Sequence, residues 1–400
     1  MDCEQSSATV IQVNKVQSPR ILILLMNYSP EDRGAQATRA VALHKEIRTY
    51  FPHTYLMMDE GEKPCSDKDY YLLRPVISWK GKYRAINILK YLISKIQMTM
   101  VILRFVRQKK ITSVILRGFD TVLLYPFLKI KKVKTFCDFH GRYHLELREL
   151  NECGLAALVN TCDKIILNLA DRILVVSEGI QSQIPKYRHK CLPLENGVDI
   201  DMIEDVRDRV PPITLPDSKY IVGFIGNWEQ FLIMDDIFNA VASVDDTISL
   251  VIGKGYDAER IFSSYNDSAK HIFTGRLDQK DVFCLLHKMD VCVIPYDKGF
   301  YMSNIKNFFS NRKIYEYLSA GKPIIVSDIK GKPEFLVEKS NCLMYESGNP
   351  KDLAEKITYL KNNPEIADEM GKNNRELAKK FTWKNLIKNS GILHELAEKD

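Results

Sequence analysis

Short apolar runs separated by helical patterns recur along almost the whole chain, and this alternation constrains the fold more than any other feature. The first run is Ile21-Leu22-Ile23-Leu24-Leu25-Met26, and others fall at residues 114–116, 133–137 and 173–176. Runs of this length, with helical periodicity between them, read as buried strands. Strands alternating with helices imply parallel βαβ units in a doubly wound α/β sheet. After Asn196-Gly197-Val198-Asp199 comes a polar stretch ending in Pro211-Pro212 and Pro216, the punctuation of a hinge. A second series then begins, at residues 220–225, 248–252, 271–274, 291–294 and 323–326. Four hundred residues, 45% of them hydrophobic, suffice for two cores. The expectation is two consecutive Rossmann-like domains, at 19–203 and 220–380, joined by a linker at 204–219. A disordered tail over 1–18 precedes them, and a helix over 381–400 ends the chain.

Within the second series one segment carries chemistry. Asn311-Arg312-Lys313-Ile314-Tyr315-Glu316-Tyr317-Leu318-Ser319-Ala320-Gly321-Lys322-Pro323 reads as a short helix closed by Gly and Pro, after which a buried strand starts. Two cations stand in its first turn, where free backbone N–H groups already favour an anion. One turn on, Glu316 is placed to accept hydrogen bonds from sugar hydroxyls, as acidic residues do from a ribose. A solvated basic helix end is the plain reading of such a segment taken alone. Together the residues point to a nucleotide carrying a diphosphate.

Residues 311–334 resemble the donor-site signature of GT-B glycosyltransferases, above all the retaining enzymes of glycosyltransferase family 4. There a helix of the form K-x-x-E-Y-L-A-x-G-K-P-V-V grips the nucleotide sugar, and a P-E pair, here Pro333-Glu334, follows the strand. Asp138-Phe139-His140-Gly141 resembles the family's D-x-H-G segment, whose His reaches the donor sugar near the reacting carbon. Residues 170–178 and 195–199 are similar to its A-D-x-I-x-x-V-S-E and N-G-V-D markers. Gly34-Ala35 stands where the family has a glycine-rich loop after the first strand. Gly lets backbone approach a phosphate there.

The resemblance implies the GT-B fold, with an acceptor-side first domain and a nucleotide-sugar-binding second domain. It implies transfer of a hexosyl group from a nucleotide-diphosphate sugar with retention of configuration, without a metal or other cofactor. The acceptor would be a glycan or lipid-linked precursor. Lys313 and His140 would be catalytic: Lys313 stabilises the departing diphosphate and His140 holds the sugar. Gly34, Ala35, Asn227, Gly275, Arg312 and Glu316 would bind the donor. Two departures matter. The family's Arg/Lys phosphate pair after the first strand of the second domain is replaced by Gly226-Asn227-Trp228-Glu229, and the first glutamate of its usual pair is Phe308. A GT-B nucleotide-sugar epimerase and a non-catalytic GT-B scaffold on membranes are the alternatives.

Other chemistries lack their motifs. There is no G-x-x-x-x-G-K-[ST], G-x-S-x-G or H-E-x-x-H. Asp199-Ile200-Asp201 spells D-x-D but overlaps the N-G-V-D turn, so no metal is assigned to it. Nine scattered cysteines without a C-x-x-C pair fit a reducing cytosol, and residues 1–17 show no apolar signal-peptide core. Charge is distributed unevenly. Residues 74–134 hold fifteen Lys or Arg and one acid, Asp120, so this block is +14 within a chain of net +6. Cations interleaved with Trp79, Tyr83, Tyr91, Ile93, Leu103 and Phe105 fit an anionic membrane surface, with a solvated basic helix as the plain reading. No nucleic-acid reader motif accompanies them, so nucleic acid is not an expected partner. Lys90, Lys95 and Arg104 break the apolar run at 86–106, so it is not expected to span a bilayer.

Overall fold

The computed structural model describes residues 18–26, 35–59, 70–73, 84–149, 152–266, 269–299, 311–329 and 332–398. The first lobe contains β1 (Ile21–Leu25), α1 (Ala35–Tyr50), β2 (Thr54–Asp59), β3 (Tyr70–Leu73), α2 (Arg84–Lys109), β4 (Ser113–Arg117) and α3 (Leu124–Ile130). It continues with β5 (Lys134–Phe139), α4 (Tyr143–Glu149), α5 (Cys153–Leu169), β6 (Arg172–Val175), α6 (Glu178–Ser182), β7 (Cys191–Pro193) and α7 (Ile200–Glu204). Its seven strands lie in the order β3-β2-β1-β4-β5-β6-β7. All pairings are parallel, β1 aligning Ile23 with Leu56 on one side and Ile115 on the other.

The second lobe contains β8 (Tyr220–Ile225), α8 (Met234–Ala242), β9 (Thr247–Ile252), α9 (Ala258–Tyr265), β10 (His271–Gly275), α10 (Gln279–Lys288) and β11 (Val291–Ile294). After it come α11 (Arg312–Ser319), β12 (Ile324–Ser327), β13 (Cys342–Tyr345), α12 (Pro350–Asn362), α13 (Pro364–Ala378), α14 (Trp383–Asn389) and α15 (Ile392–Ala397). Its six-stranded sheet runs β10-β9-β8-β11-β12-β13. The strand order turns back between β8 and β11, and a parallel sheet offers a ligand crevice at the carboxyl ends of the strands beside such a switch point.

Both sheets are buried on two faces, which explains why their strands read as continuous apolar runs rather than alternating ones. In the first lobe α2, α3 and α5 cover one face through Met98, Ile102, Leu124, Leu128 and Ile166. The other face is covered by α1 and by α14 and α15, whose Trp383, Ile387 and Ile392 join the core of Ile21 and Ile23. The end of the chain has therefore crossed back onto the first lobe. The outward crossing lies beside it: Val198 bridges Thr382, and its N–H donates to the Phe381 carbonyl at 2.9 Å. Val198, Ile203 and Val206 pack into the second core. Among the described residues no helix is long and apolar enough to cross a membrane.

Candidate functional site

In the second lobe the carboxyl ends of β8, β9 and β10 form a ledge of backbone. Gly226 (φ +108°), Gly253 (φ +121°) and Gly275 (φ +65°) occupy its successive corners. Gly253 N–H donates to the Gly275 carbonyl at 2.8 Å, and Gly226 N–H donates to Ile252 at 2.9 Å. A Cβ on Gly253 would meet the Gly226 carbonyl oxygen at 2.2 Å, so only glycine allows the two turns to lie together.

Over this ledge stands α11. Its C-terminus is closed by two hydrogen bonds, Lys322 N–H to the Tyr317 carbonyl and Gly321 N–H to that of Leu318, each 3.0 Å. Gly321 takes φ +65°, the left-handed residue such a closure requires. Tyr317 Oη accepts from the backbone N–H of Ile225 at 3.0 Å, tying the helix to the end of β8. At the other terminus the Asn311 side chain does not cap the helix but donates to Tyr296 Oη at 3.1 Å. Among the described residues no side chain caps the first turn, whose N–H groups carry the positive end of the helix dipole.

Lys313 is the cation placed there. Its side chain is buried, with Nζ 4.2 Å from the Phe224 ring centroid and 3.5 Å from the Asn227 carbonyl oxygen. Gly226 makes room for it, since a Cβ at that position would lie 3.3 Å from Lys313 Cε. Burial pushes the Lys313 ammonium down to about 7, against the opposing pull of Glu229 and Glu316. Ring face and carbonyl offset only part of the lost hydration, and Lys313 makes no ion pair among the described residues. Arg312 and Glu316 are paired with each other, Nη2 to Oε1 at 2.7 Å, on the half-buried edge of the same helix. Asn227 is exposed beside Lys313.

In the first lobe His140 follows β5 and is held by a buried network. Arg117 Nη1 lies 2.8 Å from His140 Nε2 and 3.3 Å from Asp138 Oδ2. The same Nε2 lies 3.1 Å from Asp138 Oδ2, so it faces a guanidinium that only donates and a carboxylate that only accepts. Burial and the Arg117 guanidinium push the His140 imidazolium down to about 3. The ring is therefore neutral at physiological pH, with its edge 23% exposed. Arg39, fully buried, donates to Asp138 at 2.9 Å and to the carbonyls of Leu194 and Glu195 at 2.9 and 2.8 Å. It also lies 5.6 Å from the Trp383 ring. Burial opposes the Asp138 charge, but Arg39, His140 and Arg117 together hold its carboxyl well below the usual carboxylate range.

A hydrogen bond from α11 reaches the other lobe. Tyr315, on α11, donates its hydroxyl to Glu195 Oε2 at 2.9 Å, and Glu195 is the residue whose carbonyl Arg39 binds. The route from the Lys313 helix to His140 thus runs through Tyr315, Glu195, Arg39 and Asp138. Burial raises the Glu195 carboxyl pKa while the Tyr315 bond lowers it.

Of the other sequence candidates, Gly34 and Phe308 lie outside the described residues. Ala35 is the first residue of α1. Asp199 of the D-x-D triplet caps α7, accepting from Met202 N–H at 3.2 Å, and pairs with Lys45. Three cations of the basic block are committed internally: Arg117 to His140, Lys95 to Asp120 at 3.0 Å and Lys134 to Glu395 at 2.7 Å. Arg39, Arg117 and Tyr315 were not among the candidate residues.

Comparison with known proteins bears on this arrangement. Residues 207–377, which carry α11 and the glycine ledge, match the model of the family described as Glycosyl transferases group 1. The match spans most of the second lobe. Beyond it the chain is 27% identical over 222 residues to an uncharacterized glycosyltransferase of Methanocaldococcus jannaschii, covering 54% of this chain. The chain spans only 57% of that relative's length. The sucrose-phosphate synthase of Thermosynechococcus elongatus superimposes with a TM-score of 0.76 at 16% identity, over 94% of this chain and 98% of that one. Anabaena HepE, solved with UDP and glucose, gives 0.68 at 13% identity over 95% and 100% of the two chains. Both lobes together have the GT-B fold.

Proposed function

We propose that the protein transfers a hexosyl group from a nucleotide-diphosphate sugar to a glycan or lipid-linked acceptor, with retention and without a metal. In this reading it works from the cytoplasmic side, at the inner face of the cell membrane. The observation that carries the donor assignment is Lys313: a buried ammonium above a backbone ledge, at a helix start, with no ion pair among the described residues. Departure of a nucleoside diphosphate places new negative charge on phosphate oxygens, and prearranged donors that meet it lower the barrier. Lys313 and the first-turn N–H groups supply those donors. A diphosphate completes the ion pair that the free site lacks, so the cation is desolvated in advance for one type of ligand.

Arg312 joins Lys313 on the phosphates once its pairing with Glu316 is exchanged for the nucleotide, and Glu316 then turns to the ribose hydroxyls. Gly275 and Asn227 border the same ledge and leave it open for the nucleoside. His140 is read as the sugar-side contact from the opposite lobe. A neutral ring hydrogen-bonds a sugar oxygen without adding a second charge beside the anomeric carbon. UDP-sugars are the first donors to try, given the UDP in the HepE structure.

The test is a thermal-shift screen of nucleoside diphosphates and their sugars, followed by turnover of Lys313→Ala with the donor so identified. The variant is expected to lose roughly 3 kcal/mol of transition-state stabilisation, about a hundredfold in rate. Full activity of Lys313→Ala at saturating donor would remove the leaving-group role.

A further inference from the structure

The first lobe shows water an apolar face that its own fold leaves uncovered. Seventeen large hydrophobic side chains are exposed among the described residues, and ten of them lie on α2, α3 with its preceding residue Leu123, and α5. These helices cover one face of the first sheet side by side, so their outer sides form a continuous surface. On α2 the outward stripe is Ile93, Ile96 and Met100, followed by Arg104 and Arg107 one and two turns on. On α3 it is Phe127 and Ile130, the latter 79% exposed, followed by Lys131 and Lys132. On α5 it is Leu155, Leu158 and Ile165 at helical spacing, with exposed Lys164 beside them.

Neither α2 nor α3 contains a single acidic residue. On α2 and α3 the exposed apolar side chains are edged by cations, while exposed Glu152 stands at the start of α5. A mainly cationic rim around apolar side chains matches a layer that is hydrocarbon within and anionic outside.

We propose that the outer face of α2, α3 and α5 docks the protein on an anionic phospholipid bilayer. Phe127, Ile130, Met100 and Leu158 enter the level of the acyl chains, while Arg104, Arg107, Lys131 and Lys132 meet the headgroup phosphates. The charge of the basic block is thus divided. Lys95, Arg117 and Lys134 serve the interior, and α5, which lies outside the block, supplies a third of the apolar face. Docking does not depend on the donor assignment, because the face is separate from α11 and the glycine ledge.

The experiment is co-sedimentation of the full chain with vesicles of phosphatidylcholine alone and with added phosphatidylglycerol. Binding is expected only with the anionic lipid and is expected to fall with salt. Each cation reversed by Arg104→Glu or Lys131→Glu should weaken partitioning about fivefold or more. Phe127→Glu with Ile130→Glu should weaken it by roughly tenfold or more, and Met100→Glu on the neighbouring helix should act in the same direction. An unchanged unfolding temperature shows that each variant remains folded. Wild-type protein that ignores anionic vesicles, or variants that partition like wild type, would overturn the proposal. So would a wild-type dimer in light scattering that Phe127→Glu converts to monomer, since the face then belongs to a second copy. Loss of UDP binding without loss of vesicle binding would count against the donor assignment alone.

Discussion

The two lobes each carry one candidate ionisable group, His140 and Lys313, and treat its charge in opposite ways. His140 is surrounded by groups that fix it: Arg117 and Asp138 hold its Nε2 edge, and burial together with the guanidiniums keeps the ring neutral against the pull of Asp138. Lys313 is surrounded by groups that leave it unfinished, a ring face and a carbonyl. The first arrangement is complete before any ligand arrives, while the second is completed by an anion. On the proposed function, the first serves as a fixed contact for the neutral sugar and the second as a receptive cation for its charged carrier.

The sharpest way to break this contrast is to remove the carboxylate of the finished network. Asp138→Ala leaves Arg39 buried against Arg117 without a counter-charge, and breaking a buried pair in this way costs about 4 kcal/mol of folding stability. Denaturant unfolding measures it, and a loss smaller than that of an ordinary surface substitution would show the network to be dispensable. The corresponding substitution on the other side, Lys313→Ala, should leave stability unharmed or improved while it reduces turnover, because there the cost of burial is removed with the charge.

The contrast is sharpened by pH. The Lys313 ammonium loses its proton near pH 7 in the folded protein, against 10.5 for a free lysine. The unfolded chain therefore binds one proton more between those values, and folding stability from this residue rises as pH rises through that window. Binding of a nucleoside diphosphate has the opposite sign. It selects the protonated form, so affinity is flat below about pH 7 and weakens by about tenfold per unit above it. Calorimetry at pH 8.5 in buffers of different ionisation enthalpy should register uptake of a proton on UDP binding. His140, at about 3, should contribute no titration to kcat in the neutral range.

The smallest effect concerns the link between the halves. Tyr315→Phe removes the hydroxyl that reaches Glu195 and should cost about 1 kcal/mol, seen as a modest fall in unfolding temperature. An equal fall in Glu195→Leu, which removes the acceptor, with no further loss in the double variant, would tie the effect to this one bond.

How much of this could be read from residues alone follows from the distances involved. The apolar runs that became β1, β8, β9, β11 and β12 were legible because strands buried on both faces admit little else. Strands β7 and β13 escaped notice because three and four residues, one of them Pro193, make no periodic pattern. The helix at 312–319 and the segment ending in His140 were legible as local motifs. Arg39 was not, since its partner Asp138 is 99 positions away and nothing local marks an arginine in an amphipathic helix as buried. Arg117 was read as one more cation of a basic block, although its place at the end of a buried strand was the available clue. Tyr315 looked like a core aromatic, and its ring is one; only the fold reveals that its hydroxyl reaches the other lobe.

Two strands of backbone cross between the lobes side by side, stitched where Val198 meets Thr382, and Gly197 is pressed so near that a Cβ would lie 2.5 Å from the Trp383 ring. A single tether would let the halves twist and drift. A paired one behaves like a door on two pins, leaving opening and shutting as the softest motion and keeping the faces that must meet in register throughout the swing.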